Sequence, residues 1–452
     1  MKSINPKNNE VIREYREHTP EEVDQIVEKA HGQWISWKET SFDYRAGLFR
    51  NAANILRSDK DRYARMMTEE MGKIIRESMA EIEKCANACD YFAEHAAELL
   101  KDQEIASDAS RSIVVFQPIG VVLAVMPWNF PFWQLFRFAA PSLMAGNAAV
   151  MKHASNVSGC ALAIEEVFHK AGFPENVFRT LMIPSSDVER VIANPKIAAT
   201  TLTGSEYAGS QVSSAAAKHI KKSVLELGGS DAFVVLEDAD LDLAVSIGIT
   251  ARMLNQGQSC IAAKRFIVME KVLDDFTGRL KKVVEAFKTG DPLDPETQVG
   301  PLARVDLVDE LDRQVQNSIK SGAQLLEGGK RPDRKGSYYL PTILTGVKKG
   351  MAVYHQETFG PVFSIIPVKS EAEALMVAND SEFGLGGSVW TKDSVRGEAF
   401  ARKVETGAMF VNGLTKSDPR LPFGGIKKSG FGRELAEFGI REFVNIKTIW
   451  IR

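Results

Sequence analysis

Histidine is scarce in this chain and cysteine scarcer: seven His and four Cys among 452 residues. Cys85, Cys89, Cys160 and Cys260 are too few for a disulfide scaffold and fit a reducing compartment. The histidines, at positions 18, 31, 95, 153, 169, 219 and 355, give no pair at ligand spacing on one helix face, and none neighbours Cys260. A local zinc motif and an adjacent Cys-His pair are therefore excluded. Cys85 and Cys89 stand one helical turn apart, which reads as a packed helix face in preference to a metal site. No apolar run is long enough to span a bilayer, and residues 1–6 lack the apolar core of a signal peptide. The expectation is a soluble, cytoplasmic protein. A net charge of −3 leaves no basic surplus for nucleic acid.

What is present is an ordinary globular composition, 44% hydrophobic and 25% charged, at a length that predicts two or three domains. The first hundred residues read as helices. Thr19-Pro20-Glu21-Glu22 is a capping box with proline at the first helical position. Val23, Ile26, Val27, Ala30 and Trp34 follow at helical spacing, and further helical patterns run near 44–56 and 75–100. From 110 to 125 the pattern becomes extended and leads into a buried strand. Candidate strands at 120–126, 148–152, 177–183 and 198–203 then alternate with helices near 133–144, 159–171 and 207–217. A second alternating set runs through 232–235, 241–253, 264–268, 272–288 and 310–321. Two such sets predict two α/β domains, each with a parallel sheet, meeting at a cleft.

Six short segments carry chemistry. Asn255-Gln256-Gly257-Gln258-Ser259-Cys260 puts one thiol in a glycine-bearing polar loop. Its thiolate is a good nucleophile toward carbonyl carbon, although a lone cysteine is more often a small buried side chain. Met126-Pro127-Trp128-Asn129-Phe130-Pro131 ends a strand with a rigid amide donor that could hold an oxyanion; a structural turn is the other reading. Lys152 closes the next strand, where it could hold ribose hydroxyls or a phosphate, or be an exposed charge. Thr203-Gly204-Ser205 opens a helix, a place that favours a pyrophosphate, but it is not the GxGxxG fingerprint. Glu226-Leu227-Gly228-Gly229 ends a strand with a carboxylate able to deprotonate a water or a thiol, or simply to cap the strand. Glu357-Thr358-Phe359-Gly360-Pro361-Val362 adds a second carboxylate, and Phe423-Gly424-Gly425-Ile426-Lys427-Lys428-Ser429-Gly430-Phe431-Gly432-Arg433-Glu434 is glycine-dense and basic and reads as a loop.

In this order, and with this interval from Glu226 to Cys260, the segments resemble the aldehyde dehydrogenase superfamily along nearly the whole chain. The resemblance implies a Rossmann-like cofactor domain (1–99 and 119–228), a catalytic domain (229–427) and a small oligomerisation ribbon (100–118 with 440–452). It implies Cys260 as nucleophile, Asn129 and the Cys260 N–H as oxyanion hole, and Glu226 as general base. Lys152 would hold the adenosine ribose, and Thr203, Gly204 and Ser205 the pyrophosphate. Glu357 would hold the nicotinamide ribose, with Phe359 and Trp128 beside the cofactor. A homodimer or homotetramer is expected. A cysteine–glutamate hydrolase or acyltransferase would share the nucleophile but would not need the cofactor segments together.

Many NAD-preferring members carry glutamate three residues after the lysine matching Lys152; here that position is Ser155, which points to NADP, with NAD as the alternative. Arg137 matches the arginine by which succinate-semialdehyde dehydrogenases bind a distal carboxylate, and Ser417 approximates the serine that assists. The compact bacterial type of that enzyme is the nearest resemblance; glutarate semialdehyde, aliphatic and aromatic aldehydes are the alternatives within the class. Two departures stand out. Leu254 occupies the place of a second substrate arginine, and Ile261-Ala262-Ala263-Lys264 lacks the extra cysteine some relatives use as a redox switch.

Overall fold

The computed structural model describes residues 1–452. Two parallel sheets and a three-stranded ribbon organise the chain. In the first sheet the order is Gly430–Phe431, Lys222–Glu226, Ile197–Thr203, Val121–Met126, Ala148–His153, Phe178–Thr180. All neighbours are parallel except Gly430–Phe431, which pairs antiparallel with Lys222–Glu226. The central strand explains why its sequence is a continuous apolar run. Val122 and Ala124 face one core, with Phe49, Ile82, Cys85 and Phe92, while Val121 and Leu123 face another, with Val23, Val27 and Ala30. A strand buried on both faces has no polar side to present.

The second sheet runs Gln324–Glu327, Thr342–Thr345, Val362–Val368, Ala263–Met269, Asp231–Val235, Gly387–Trp390, Phe410–Val411, with only Gln324–Glu327 antiparallel. It too is covered on both faces: Ala232 and Val234 on one, Phe233 and Val235 on the other.

The ribbon pairs Arg111–Pro118 with Val444–Ile451 in antiparallel register, Ile113 opposite Ile449. The Val444–Ile451 strand is the outer one, and Ile446 and Trp450 are half or more exposed on it, 61% and 50%. The expected extended stretch is thus two strands in two sheets, with Gly120 between them at φ +140°.

One expectation is corrected. The first hundred residues do not begin with helix: Lys2–Asn5 and Glu10–Glu14 form an antiparallel hairpin around Pro6-Lys7-Asn8-Asn9, with Asn9 at φ 60°. The Pro and Asn residues mark the turn, but neither short strand carries an apolar alternation to show it. The capping box of the next helix, Pro20–Trp37, is present in both directions: Thr19 Oγ1 accepts from the Glu22 N–H, and the Glu22 carboxylate accepts from the Thr19 N–H.

Candidate active site

Sheet topology builds the cleft. In the first sheet Met126 pairs with His153 and Thr203 with Glu226, so the carboxyl ends of four parallel strands lie on one edge. Asn129, Lys152, Thr203 and Glu226 are all at or just beyond those ends. The chain then crosses from Glu226 to Asp231 and enters the second sheet from the amino end of its strands. Cys260 precedes the strand Ala263–Met269, and Glu357 precedes Val362–Val368. The carboxyl edge of one sheet therefore meets the amino edge of the other, where ligands bind in parallel α/β folds.

The nucleophile loop is held by two buried cations. Arg252, at the end of the helix Leu241–Met253, donates to the carbonyls of Gly257, Ala263, Thr358 and Gly360. Lys264 Nζ donates to the carbonyls of Ser259 and Cys260 at 2.8 and 2.7 Å and pairs with Glu357 at 3.3 Å. Asn255 and Gln256 both take left-handed backbone, φ 54° and 53°, a conformation that costs about 1–3 kcal/mol per residue. Glu77 accepts the Asn255 N–H at 2.7 Å and so supports that strain. Gly257 follows at φ +78°, and a Cβ there would collide with the Gly360 carbonyl. Burial pushes the Cys260 thiol up to about 12; Arg137 and Lys264 pull the other way.

Asn129 is buried, and its Nδ2 donates to the Gln258 carbonyl at 3.1 Å, while its own carbonyl accepts from Asn255 Nδ2 at 2.7 Å. An amide has two N–H groups, so one is left for an oxyanion. The Cys260 N–H donates to no protein acceptor. The turn that presents Asn129 is fixed from below: Glu81 accepts from the N–H groups of Phe132 and Trp133, both at 3.0 Å, and pairs with buried Lys73.

Glu226 is 2% exposed, and neither carboxylate oxygen has a hydrogen-bond partner. Desolvation, then the charge of Glu434, holds its carboxyl well above the usual range, against the pull of Arg137 and Arg433. Gly424 lies against it: a Cβ there would come within 2.7 Å of Glu226 Oε1. The same glycine-dense loop knits the two sheets together, since Ser429 Oγ donates to the Gly228 carbonyl at 2.7 Å and accepts from the Gly384 N–H at 3.0 Å.

Along the cleft, buried Lys152 has Ser185 Oγ as its only hydrogen-bond partner, at 3.0 Å. Ser155 is exposed at the start of a short 3-10 turn. Ser205 caps the helix Glu206–Lys218 by accepting from the Ala208 N–H. Glu357 accepts from the Gly229 N–H at 3.0 Å, and Phe359 meets Trp128 edge to face at 5.7 Å. The Thr203 hydroxyl is engaged differently: it accepts from Arg137 Nη2 at 3.2 Å.

Arg137 is not a free fork. It is 1% exposed, pairs through Nε with Glu434, and stacks on Phe423 at 4.5 Å. Nη1 makes no hydrogen bond. Ser417 is buried, and its Oγ accepts from Lys84 Nζ at 2.7 Å and from Trp133 Nε1 at 3.1 Å.

A thiol, two free N–H donors and a buried, unpartnered carboxylate share this cleft with a strand edge that carries a buried lysine and a helix amino end. The aldehyde dehydrogenase family model matches residues 1–449. This chain belongs to the aldehyde dehydrogenase family. It is 51% identical to a probable succinate-semialdehyde dehydrogenase [NADP(+)] of Synechocystis sp., over 99% of both chains. It is 47% identical to succinate-semialdehyde dehydrogenase [NADP(+)] 1 of Mycobacterium tuberculosis, again over 99% of both. Among solved structures, succinic semialdehyde dehydrogenase from Streptococcus pyogenes in complex with NADP+ superposes with a TM-score of 0.98 at 40% identity, covering 100% of this chain and 99% of that one. Betaine aldehyde dehydrogenase from Staphylococcus aureus in complex with NAD+ still reaches 0.95 at 30% identity, covering 99% and 91%.

The aldehyde dehydrogenase cleft fits a nicotinamide dinucleotide on its own geometry. Lys152 is a buried ammonium with a single neutral partner, and the 13-residue helix Glu206–Lys218 aims its amino end at the strand edge. A Cβ at Gly204 would meet nothing closer than 3.5 Å, so protein packing does not require glycine there, whereas close approach of a phosphate would.

Several functional side chains escaped the sequence reading: Glu77, Glu81 and Lys84 on the helix Ile75–Leu99, and Arg252, Lys264 and Glu434. A signal existed for the first three. They stand at i, i+4 and i+7, on one face of an amphipathic helix, where apolar residues belong. Arg252 had no such signal, because its Thr358 and Gly360 partners come from a loop more than a hundred residues later, and the partners of Lys264 are local backbone carbonyls that no side-chain pattern marks.

Proposed function

We propose that this enzyme oxidises succinate semialdehyde, with water, to succinate, using NADP. The observation that carries the substrate reading is the placement of Arg137 close to Lys84, with Ser417 bonded to Lys84 and the charge of Arg137 felt at Cys260. A carboxylated aldehyde would place its far end there and its carbonyl at the thiol. The curated relatives named above support the same reading.

Each residue then has its task. Glu226 takes the Cys260 proton as the sulfur adds to the aldehyde carbon and passes that proton to solvent, and the oxyanion is received by Asn129 Nδ2 and the Cys260 N–H. When bound, the nicotinamide supplies the hydride acceptor for the oxidation. Glu226 then takes a proton from water, which attacks the Cys260 thioester and releases the acid. Lys152, Ser155, the Thr203-Gly204-Ser205 turn, Glu357, Trp128 and Phe359 hold the cofactor. Ser155 is small and neutral beside the Lys152 ammonium, which favours a 2′-phosphate over its absence.

The test is NADPH formation with succinate semialdehyde against butanal, for the wild type and Arg137→Ala. A strong preference for the semialdehyde that collapses in the variant is expected. Equal use of both aldehydes would sink the substrate reading and leave an aldehyde dehydrogenase of other specificity.

The same reading divides the chain into a cofactor domain (1–99 and 119–228), a catalytic domain (229–427) and a ribbon (100–118 with 440–452). Exposed Ile446 and Trp450 on an open edge strand favour a homodimer or homotetramer assembled through the ribbon. A monomer in sedimentation at micromolar concentration would refute that. The four free cysteines fit a cytoplasmic setting, which cell fractionation tests. No helix is long and apolar enough to cross a membrane.

A further inference from the structure

Arg137 is partly engaged inside the protein: Nε faces Glu434 and one of the two Nη2 N–H groups goes to Thr203, which leaves Nη1 as its nitrogen without a protein partner. Leu254 supplies no second cation. A carboxylate docked on Arg137 still needs donors for its remaining lone pairs.

Lys84 meets that need. It lies on the helix Ile75–Leu99 with its ammonium 4.1 Å above the Trp133 ring, and its one hydrogen bond goes to Ser417 Oγ. No carboxylate comes within ion-pair distance, although buried lysines such as Lys73 and Lys264 each have one. Ser417 accepts from both Lys84 and Trp133, so its own O–H proton is free to be donated. The result is a half-buried cation without a counter-ion, next to a hydroxyl donor and beside a second cation, an arrangement that an incoming anion relieves.

We propose that Lys84 determines specificity: its ammonium and the Ser417 hydroxyl receive one oxygen of the substrate's distal carboxylate while Arg137 Nη1 receives the other. This rests on the substrate reading above. Burial, and then the charge of Arg137, hold Lys84 down to about 8; Glu81 and the Cys85 thiol oppose that pull, and Lys73 adds to it. Free enzyme therefore loses this cation as pH rises past about 8, and KM for a carboxylated aldehyde rises with it.

The experiment measures kcat/KM for succinate semialdehyde and for butanal with the wild type, Lys84→Met and Lys84→Arg, from pH 7 to 9.5. The expected result is a wild-type preference for the semialdehyde that falls at least tenfold in Lys84→Met, through KM. Lys84→Arg should restore much of it and abolish the rise of KM above pH 8. A wild type with no preference overturns the substrate reading. A wild-type preference that Lys84→Met keeps, or an equal loss with both aldehydes, overturns the role of Lys84 alone.

Discussion

Arg137 pairs with Glu434 in the interior, and both charges act on Glu226. The arginine proposed to face substrate is thus tied to the electrostatics of the proposed base. Glu434→Gln removes the anion that, after burial, does most to hold the Glu226 carboxyl up. The acid limb of the kcat–pH profile should move to lower pH in this variant, and a limb that stays put would refute the coupling. Arg137→Ala has a separate cost, since it strands Glu434 in the interior: about 3–5 kcal/mol of stability is expected to be lost, read by denaturant unfolding. Arg137→Ala with Glu434→Ala should lose less than Arg137→Ala alone.

A carboxylate with no partner at 2% exposure is kept for its chemistry and costs stability. Glu226→Gln should stop turnover at the thioester, seen as a burst of about one NADPH per site with little steady-state rate after it. The same variant should be the more stable protein. Because the folded carboxyl lies above its unfolded value, the stability that Glu226 contributes is fully present below the unfolded pKa of roughly 4.3 and is lost as pH rises through the folded one. The Tm advantage of Glu226→Gln should therefore grow from pH 5 to pH 8. A variant less stable than wild type at pH 8 would contradict this.

Asn129 offers one spare N–H beside the free Cys260 N–H. Loss of one oxyanion donor typically costs roughly 3–4 kcal/mol of barrier, or about 10²–10³ in rate. Asn129→Ala should lower kcat on that scale while leaving the dissociation constant for NADP nearly unchanged by fluorescence titration. Unaltered kcat would remove Asn129 from the oxyanion hole.

The layout of the candidate site was legible in the sequence wherever a motif and its partner lie on the same strand end or loop. Cys260, Glu226 and Asn129 stand at strand edges that the alternation of elements already located, and Gly257 and Gly424 are explained by the backbones that press on them. The hairpin at residues 2–14 was not legible, because its strands are short and largely exposed. Nor was the engagement of Arg137. Eight residues after Asn129 it could be placed on its helix, but Glu434 arrives from a loop almost 300 residues later, and nothing local announces that pair.

Cofactor choice should turn on one small side chain. Lys152 and exposed Ser155 sit on the strand end and the turn that follows it, and Ser185 is the lysine's only partner, so no anion of the protein competes with a 2′-phosphate. Ser155→Glu places a carboxylate there. Like charges brought together cost several kcal/mol, and each 1.4 kcal/mol is a factor of ten. The ratio of kcat/KM for NADP to that for NAD should fall by about two orders of magnitude, almost all of it through the KM for NADP. The carboxylate also gives the adenosine ribose hydroxyls an acceptor, so the KM for NAD should fall modestly in the same variant. If Ser155→Glu leaves the ratio where it was, discrimination lies elsewhere in the cleft, and the lysine rather than the serine sets the preference.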